Sequence, residues 1–474
     1  MEEVGVGVEV HSRPLCVDLD GTLVATDLLY ESVFSLIRKK PAAFLMALLQ
    51  LRSGRASFKE AVAGSVEFDP SLLPYNKEVI AFLREEHERG REIVLATASE
   101  RAYADSVASH LGFFSQVVAT ENGENLKGQV KADKLVELFG KGGFDYIGDS
   151  GADEYVWREA ASSYSVGSRA KKYESFVREF SQVQDLGVIP KAIRVHQWVK
   201  NLLLFVPIIM AHQIHEFSKC VSVLVAFLAF CLCSSSVYVL NDLFDLSADR
   251  KHPRKRFRPM AAGKLLPQTG ILLSCACLCS SLVLSLFLPR EFLGILAVYL
   301  VTTTAYSLFL KSLVVLDIVI LAMLYSVRVL AGGAAADVVV SQWLLAFSMF
   351  LFMSLACVKR LSELLMMRAA GEVEAKGRGY HLGDLQQVAT LGASSGYMSV
   401  LVMALYVTSE DVRILYRYPE LLWLICPVLL YWISRVWILA HRGDVHDDPI
   451  VFALHDRVSY FVGFLCLIIV LLAI

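Results

Sequence analysis

Strong net charge is missing from this chain. With 45 Lys and Arg against 47 Asp and Glu, the formal net charge is −2, and no nucleic-acid partner is expected. The value says little else about partners, because most acidic residues lie in the first part of the chain and the average spans two different objects. An apolar core near the start is also missing. Met1–Pro14 is short and acidic, so no signal peptide is expected and the soluble part is expected to stay in the cytoplasm. A disulfide framework is missing too: of ten cysteines, Cys220, Cys231, Cys233, Cys275, Cys277, Cys279, Cys357, Cys426 and Cys466 lie in or beside apolar stretches. They read as small buried hydrophobes. Cys275, Cys277 and Cys279 alternate inside an apolar run, where a helix turns them in different directions and defeats a four-ligand metal site.

Apolar residues are plentiful. They make up 55% of the chain, and the mean hydropathy of +0.51 is too high for an ordinary soluble protein. They are unevenly spread: residues 1–185 read as a soluble domain and residues 186–474 as a membrane domain. Apolar segments of about spanning length recur near 202–215, 219–240, 270–288, 291–309, 313–333, 343–358, 391–408, 419–439 and 457–474, predicting an all-α polytopic domain of about nine transmembrane helices. The first is shortened by His212, Gln213, His215 and Glu216, and losing it would flip everything downstream. Basic residues gather at Lys191, Arg194 and Lys200, in 250–264, and at Lys359, Arg360 and Arg368. With this helix count they share one side, expected to be the cytoplasmic face of the inner membrane.

Between two apolar runs stand Asn241, Asp242, Asp245 and Asp249, followed by His252, Pro253, Arg254, Lys255, Arg256, Arg258 and Pro259. Spacings of three and four put the three carboxylates on one helix face. Like charges so close repel, and the pattern makes sense for a polyanionic ligand: Mg²⁺ among the carboxylates bridging to phosphates, and arginine forks taking the remaining phosphate charge. A solvated loop obeying the positive-inside rule explains the basic residues and leaves the aligned carboxylates unexplained.

Upstream, an apolar strand ends in Asp18-Leu19-Asp20-Gly21-Thr22-Leu23. Ile93–Ala96 then runs into Thr97, Lys131 follows, and Tyr146-Ile147-Gly148-Asp149 is trailed by Asp153. These four segments, in order, resemble the motifs of the haloacid dehalogenase superfamily. The resemblance implies an α/β phosphatase with a parallel sheet and a helical cap over about 28–88. In it Asp18 is the nucleophile, Asp20 the general acid and then base, and Thr97 and Lys131 hold phosphoryl oxygens. Asp18, Asp149 and the Asp20 carbonyl would bind Mg²⁺, with Asp153 in support. A degenerate domain kept as a structural appendage is the competing reading. Within the cap, Leu36–Lys40 and Phe44–Leu49 are apolar and basic enough to touch a membrane surface, although such a stretch is more often a packed helix.

In the membrane part, Asn241-Asp242-x-x-Asp245-x-x-x-Asp249 resembles the first aspartate motif of the UbiA-type prenyltransferase superfamily. A second such motif is usual. Here Tyr306 to Lys311 is followed by Asp317 but has Leu321 where a second carboxylate would stand, which departs from two-cluster chemistry. Arg194-x-x-Gln197-Trp198-Val199-Lys200-Asn201, the 252–259 run, Arg328-Val329-Leu330-Ala331-Gly332, Lys359-Arg360 with Glu363, and Asp447-Asp448-Pro449 resemble the decaprenyl-phosphate phosphoribosyltransferase branch. The resemblance implies transfer of 5-phosphoribose from phosphoribosyl pyrophosphate to a polyprenyl phosphate, with Mg²⁺ at Asp242, Asp245 and Asp249. Lys255, Arg256, Arg258, Lys311, Arg328, Lys359 and Arg360 are its candidate phosphate contacts, with Lys200, Asn241, Tyr306 and Asp317 beside them. Lys200 and Lys359 also read as snorkelling helix-end anchors. Arg328 lies inside an apolar span, where an arginine is costly and usually functional. Asp447 and Asp448 also read as a turn. Fusion to a phosphatase implies removal of the product's 5-phosphate, the next step toward an arabinosyl donor for cell-wall arabinan. Two other readings stay open: a polyprenyl diphosphate-dependent prenyltransferase fused to a general sugar-phosphate phosphatase, and a phosphatase on a catalytically silent lipid-binding anchor.

Overall fold

The computed structural model describes residues 13–121, 124–369, 371, 378–445 and 449–474; the 447–448 pair lies outside them. Two compact units form, and they are not successive halves of the chain. The first joins Met1–Arg194 to Tyr238–Cys275, and the second joins Val195–Val237 to Ala276–Ile474. The boundary expected at 185 lies close to the first break, but the carboxylate and basic motif packs with the N-terminal unit.

That unit is built on a six-stranded sheet of β1 (Leu15–Val17), β2 (Ile93–Glu100), β3 (Gln116–Thr120), β4 (Asp145–Gly148), β5 (Ser162–Val166) and β6 (Phe176–Phe180). The order is β3-β2-β1-β4-β5-β6, and every pairing is parallel. The central strand segments Leu15-Cys16-Val17 and Ile93–Ala96 are apolar throughout because both faces are covered. Leu15, Val17, Ile93 and Leu95 enter one core with Val79 and Leu83 of α4 (Lys77–Glu88) and Tyr103, Ala104 and Val107 of α5 (Arg101–Leu111). Cys16, Val94 and Ala96 point the other way, onto Ala132 and Leu135 of α6 (Gln129–Phe139) and Val156 and Trp157 of α7 (Glu154–Glu159). Alternating residues thus serve opposite layers. The chain order reverses between β1 and β4, and in such sheets the crevice outside the carboxyl ends of those strands is where ligands bind.

Between β1 and α4 lie α1 (Leu28–Lys39), α2 (Pro41–Leu49) and α3 (Arg55–Ala63), closing on Leu36, Ala47 and Val62. This is the expected helical cap, although α4 itself packs on the sheet. Asp27 starts α1 by accepting the N–H groups of Leu29 (3.1 Å) and Tyr30 (3.3 Å), an N-cap satisfying donors the helix cannot. The 238–275 segment completes this unit. Val239, Leu243, Leu246, Met260 and Leu265 bury with Phe34 and Ala192.

Among the described residues, seven helices are long and apolar enough to cross a membrane: Phe217–Phe244, Pro267–Ser285, Arg290–Leu308, Leu316–Ala336, Gln342–Ala369, Leu382–Val407 and Pro419–Arg442. Two shorter apolar helices, Val195–Met210 and Arg457–Ala473, complete the set, so each apolar segment in the sequence has a helical counterpart. The terminal two are too short to join the seven. Within the second unit small residues let helices approach closely. A Cβ on Gly332 would lie 2.0 Å from the Leu204 carbonyl oxygen, and one on Gly392 would lie 2.2 Å from the Trp437 ring.

Candidate functional site

At the carboxyl end of β1 the backbone turns sharply. The Asp18 N–H donates to the Ile147 carbonyl (2.9 Å), tying the motif to β4. Gly21 follows with φ +80°, and a Cβ there would sit 2.4 Å from Asp149 Oδ2, so only glycine suits the turn. Lys131, from α6 and 3% exposed, donates to Asp18 Oδ1 (2.8 Å), Asp153 Oδ1 (3.3 Å) and the Tyr146 hydroxyl (2.9 Å). Asp153 is held from every side: it accepts from Tyr146 Oη (2.7 Å), Ser150 N (3.0 Å), Ser150 Oγ (2.8 Å) and Asp149 N (3.2 Å). Asp20 points elsewhere. It accepts from Leu28 N at 2.8 Å and, closely, from the Ser99 hydroxyl. Thr97 is buried and accepts from Ser99 N (3.0 Å).

The electrostatics separate the two motif aspartates. Burial raises Asp18, but Lys131 opposes it, leaving the carboxyl at about 6. Burial and the Asp27 charge push Asp20 up to about 8. At neutral pH Asp18 is therefore ionised and Asp20 protonated, the split a nucleophile and a general acid require. Asp149 is also pushed up to about 8, by burial and by the Asp18 and Asp153 charges. Burial opposes the Lys131 charge, yet the two carboxylates beside it carry its pKa above the ordinary range. Asp18, Asp149 and Asp153 bring carboxylate oxygens within 4.8 Å of one another. Three carboxylates around one ammonium leave excess negative charge, so the donor set fits a hard divalent cation. The Asp20 side chain is outside this group.

The Asp242 row is arranged differently. Arg194 and Arg258 both engage Asp242, the latter at 3.0 Å, and Arg258 also reaches Asp249 at 2.6 Å. Asp245 pairs with Arg38 of α1. Their oxygens do not form a convergent group of the Asp18 kind. As arranged, the row is paired with guanidinium groups. Neighbouring contacts continue along α1: Arg250 grips Glu31 through both terminal nitrogens, and Gln268 donates to Asp27 Oδ2 (2.7 Å). Asn241 is half-buried, and Lys255 and Arg256 stand exposed on a short turn.

The remaining candidates fall in the second unit. Asp317 and Arg360 are both fully buried and paired. Tyr380 donates to Asp317 (2.6 Å), Arg360 also holds Glu363, and Arg378 reaches Glu363 at 3.3 Å. Arg328 donates to Asn201 Oδ1 (2.8 Å), Tyr299 Oη (3.1 Å) and the Leu324 carbonyl, with Phe230, Tyr299 and Tyr325 rings around its guanidinium. Lys200 lies over the same Tyr325 ring, which brings two buried cations together. Tyr306, Lys311 and Lys359 are half-buried. Sequence reasoning missed Tyr146, Ser99, Arg378, Tyr380 and the α1 partners Glu31 and Arg38. An isolated tyrosine or serine carries no motif, and the pairing of α1 with residues some 200 positions away leaves no local trace.

Residues 202–465 match the UbiA prenyltransferase family. The chain belongs to that family. In this UbiA family member residues 15–153 also match the haloacid dehalogenase-like hydrolases, so a transferase-type and a hydrolase-type part are joined in one integral membrane protein. Among its relatives is the uncharacterized protein y4nM of Sinorhizobium fredii, 36% identical over 462 residues, 95% of this chain and 89% of that one. Nodulation protein NoeC of Azorhizobium caulinodans is 37% identical over 272 residues, 57% of this chain and 87% of its own. The decaprenyl-phosphate phosphoribosyltransferase of Mycolicibacterium smegmatis is 38% identical over 226 residues, 47% of this chain and 70% of its own.

Proposed function

We propose that the membrane part transfers 5-phosphoribose from phosphoribosyl pyrophosphate to a polyprenyl phosphate, and that the N-terminal part removes the 5-phosphate from the product. The observation that carries this reading is the fate of Asp317. Position 321 is leucine, and Asp317 is occupied by Arg360 and Tyr380, so a second pair of metal carboxylates is not available. Arg328 and Lys200 come together at the Tyr325 ring instead, and such cations suit a donor with phosphate groups at both ends. The relationship to a decaprenyl-phosphate phosphoribosyltransferase supports it.

In the transfer, an oxygen of the acceptor phosphate forms a bond to ribose C1 as the bond from C1 to the diphosphate oxygen breaks and pyrophosphate leaves. Positive charge develops on the ribose and negative charge on the leaving group, so cations that hold phosphate oxygens contribute, with Arg328 and Lys200 of the second unit as the candidates. The acceptor phosphate is already ionised and needs no general base.

In the hydrolysis, an Asp18 oxygen attacks phosphorus, the ester bond to the ribose oxygen breaks, and protonated Asp20 gives that oxygen its proton. Asp20 then takes a proton from the water that cleaves the aspartyl-phosphate. Lys131 and Thr97 hold phosphoryl oxygens. Mg²⁺ held by Asp18 and Asp149, with Asp153 fixing the loop, would reduce the repulsion between nucleophile and ester. The basic segments support a cytoplasmic orientation for both activities at the inner membrane.

The test is incubation of detergent-purified protein with Mg²⁺, labelled phosphoribosyl pyrophosphate and polyprenyl phosphate. Labelled lipid is expected, retaining its 5-phosphate only in Asp18→Asn. If polyprenyl diphosphate labels an acceptor while the ribosyl donor labels none, the transfer is an ordinary prenylation and the proposal is wrong.

A further inference from the structure

Helix α2 is apolar on every side. Ala43, Phe44 and Ala47 face the cap interior, yet Leu45 (64% exposed), Met46 (70%), Leu49 (61%) and the following Leu51 (47%) point outward. A helix apolar all round belongs in a protein core or in lipid, and the cap interior covers only one side of this one. Its charge setting is one-sided as well. From Ser32 to Lys59 the sequence contains Arg38, Lys39, Lys40, Arg52, Arg55 and Lys59 and no aspartate or glutamate. Of these, Lys39, Lys40, Arg52 and Arg55 are exposed, bracketing the apolar face with positive charge.

The position of α1 identifies what covers that face. Its Arg38 guanidinium donates to the Phe244 carbonyl (3.3 Å), and Phe34 packs edge-on against Phe244 with ring centroids 5.4 Å apart. Phe244 is the last residue of a candidate span, so α1 ends where a membrane helix ends. Lys40 alone separates α1 from α2. Helix α1 thus sits beside the end of an apolar helix, and the basic border of the α2 face matches anionic phospholipid headgroups.

We propose that α2 and Leu51 dip into the bilayer surface, anchoring the cap there, so that the hydrolase-type site takes phosphate esters carried on membrane lipids in preference to soluble ones. The identity of the lipid ester rests on the proposed function; the membrane contact does not. A membrane-held site and a membrane-held substrate meet in two dimensions, and this raises their effective concentration without any new contact.

The experiment uses full-length protein in nanodiscs of mixed zwitterionic and anionic phospholipid. A bimane probe is placed by Met46→Cys in a background of Cys275→Ser and Cys279→Ser, with a control probe at Leu138→Cys on α6. Lipids spin-labelled near the headgroup are expected to quench the Met46 probe severalfold more than the Leu138 probe. In parallel, Leu45→Glu with Leu49→Glu is expected to slow 5-phosphate release from the lipid-linked ester at least about tenfold, while hydrolysis of a small aryl phosphate stays within twofold. Equal quenching at the two positions, or equal loss on both substrates, overturns the inference. So does Met46-to-Met46 crosslinking without quenching, which would assign the face to a second copy of the chain. If the Met46 probe is quenched but the wild type leaves the lipid-linked ester intact, the substrate reading fails and the membrane contact stands.

Discussion

Replacing Lys131 with methionine tests the hydrolase-type site most directly. The side chain is nearly isosteric, and the change removes one positive charge from a pocket holding Asp18, Asp149 and Asp153. With its nitrogen 2.8 Å from Asp18 and 3.3 Å from Asp153, each pairing amounts to about 5 kcal/mol at an effective dielectric of 20. Most of that offsets the cost of burying the charges. Breaking a buried pair from one side typically costs about 3–5 kcal/mol, because the stranded charge stays in low dielectric. Part of this is relieved by proton uptake: Asp18, already raised by burial, loses its main opposing charge and is protonated at higher pH than before. The nucleophile is then disarmed, and a phosphoryl contact is lost as well. Hydrolysis of an aryl phosphate by full-length protein in Mg²⁺ is expected to fall at least about 100-fold at pH 7. The lower limb of its pH profile should move to higher pH. Lys131→Arg should recover stability more than rate, since a planar fork does not reproduce a point charge. A folded Lys131→Met variant with the wild-type rate and an unmoved pH profile would refute this account.

Three further outcomes follow from the geometry. Without Mg²⁺, Asp18, Asp20 and Asp149 have folded-state pKa values of about 6, 8 and 8, all above the unfolded carboxyl value of about 3.9. Their contribution favours the fold most below that unfolded value and is lost as pH rises from about 4 to 8, so melting temperature in EDTA should fall across this window and Mg²⁺ should flatten the decline. In Arg360→Met the fully buried Asp317 keeps Tyr380 and the more distant Arg378 (3.9 Å) but loses its close ion pair; a loss of about 3 kcal/mol is expected, read as a lowered unfolding temperature in detergent, and a wild-type value would contradict it. Gly332→Ala forces a Cβ to within 2.0 Å of the Leu204 carbonyl, and the helices must part at a cost of about 1–3 kcal/mol, measurable as faster thermal inactivation.

Much of the site was legible because its chemistry is local. Asp18, Asp20, Asp149 and Asp153 lie at strand ends that hydrophobic runs announce, and Gly21 marks the turn between them. The spans were legible for the same reason, since apolar length is a property of contiguous residues. The arginine partners of the Asp242 row were not legible. Three carboxylates on one helix face read as a site for Mg²⁺ and phosphate, and the residues that pair with them, Arg194, Arg258 and Arg38, come from three separate places in the chain. Arg360 shows the same limit. Its sequence position marks a cation near a helix end, and only the fold shows it buried between Asp317 and Glu363. The cap's apolar helix was singled out by composition, but which of its sides is covered depends on Leu36, Ala47 and Val62 meeting in space.

The first unit is discontinuous, and this sets an order of events during synthesis. Residues up to Arg194 leave the ribosome before Tyr238–Cys275 exists. During that interval Phe34 and Ala192 face water, and Glu31, Arg38 and Asp27 lack the residues that later hold them. At about 5–20 residues per second the wait from Arg194 to Cys275 lasts roughly 4–16 s. The first long membrane helix, Phe217–Phe244, must emerge within it. A nascent chain stalled before Cys275 would therefore carry a sheet that can form and a cap face that cannot yet be covered, making this interval the point at which chaperones and the insertion machinery compete for the same polypeptide.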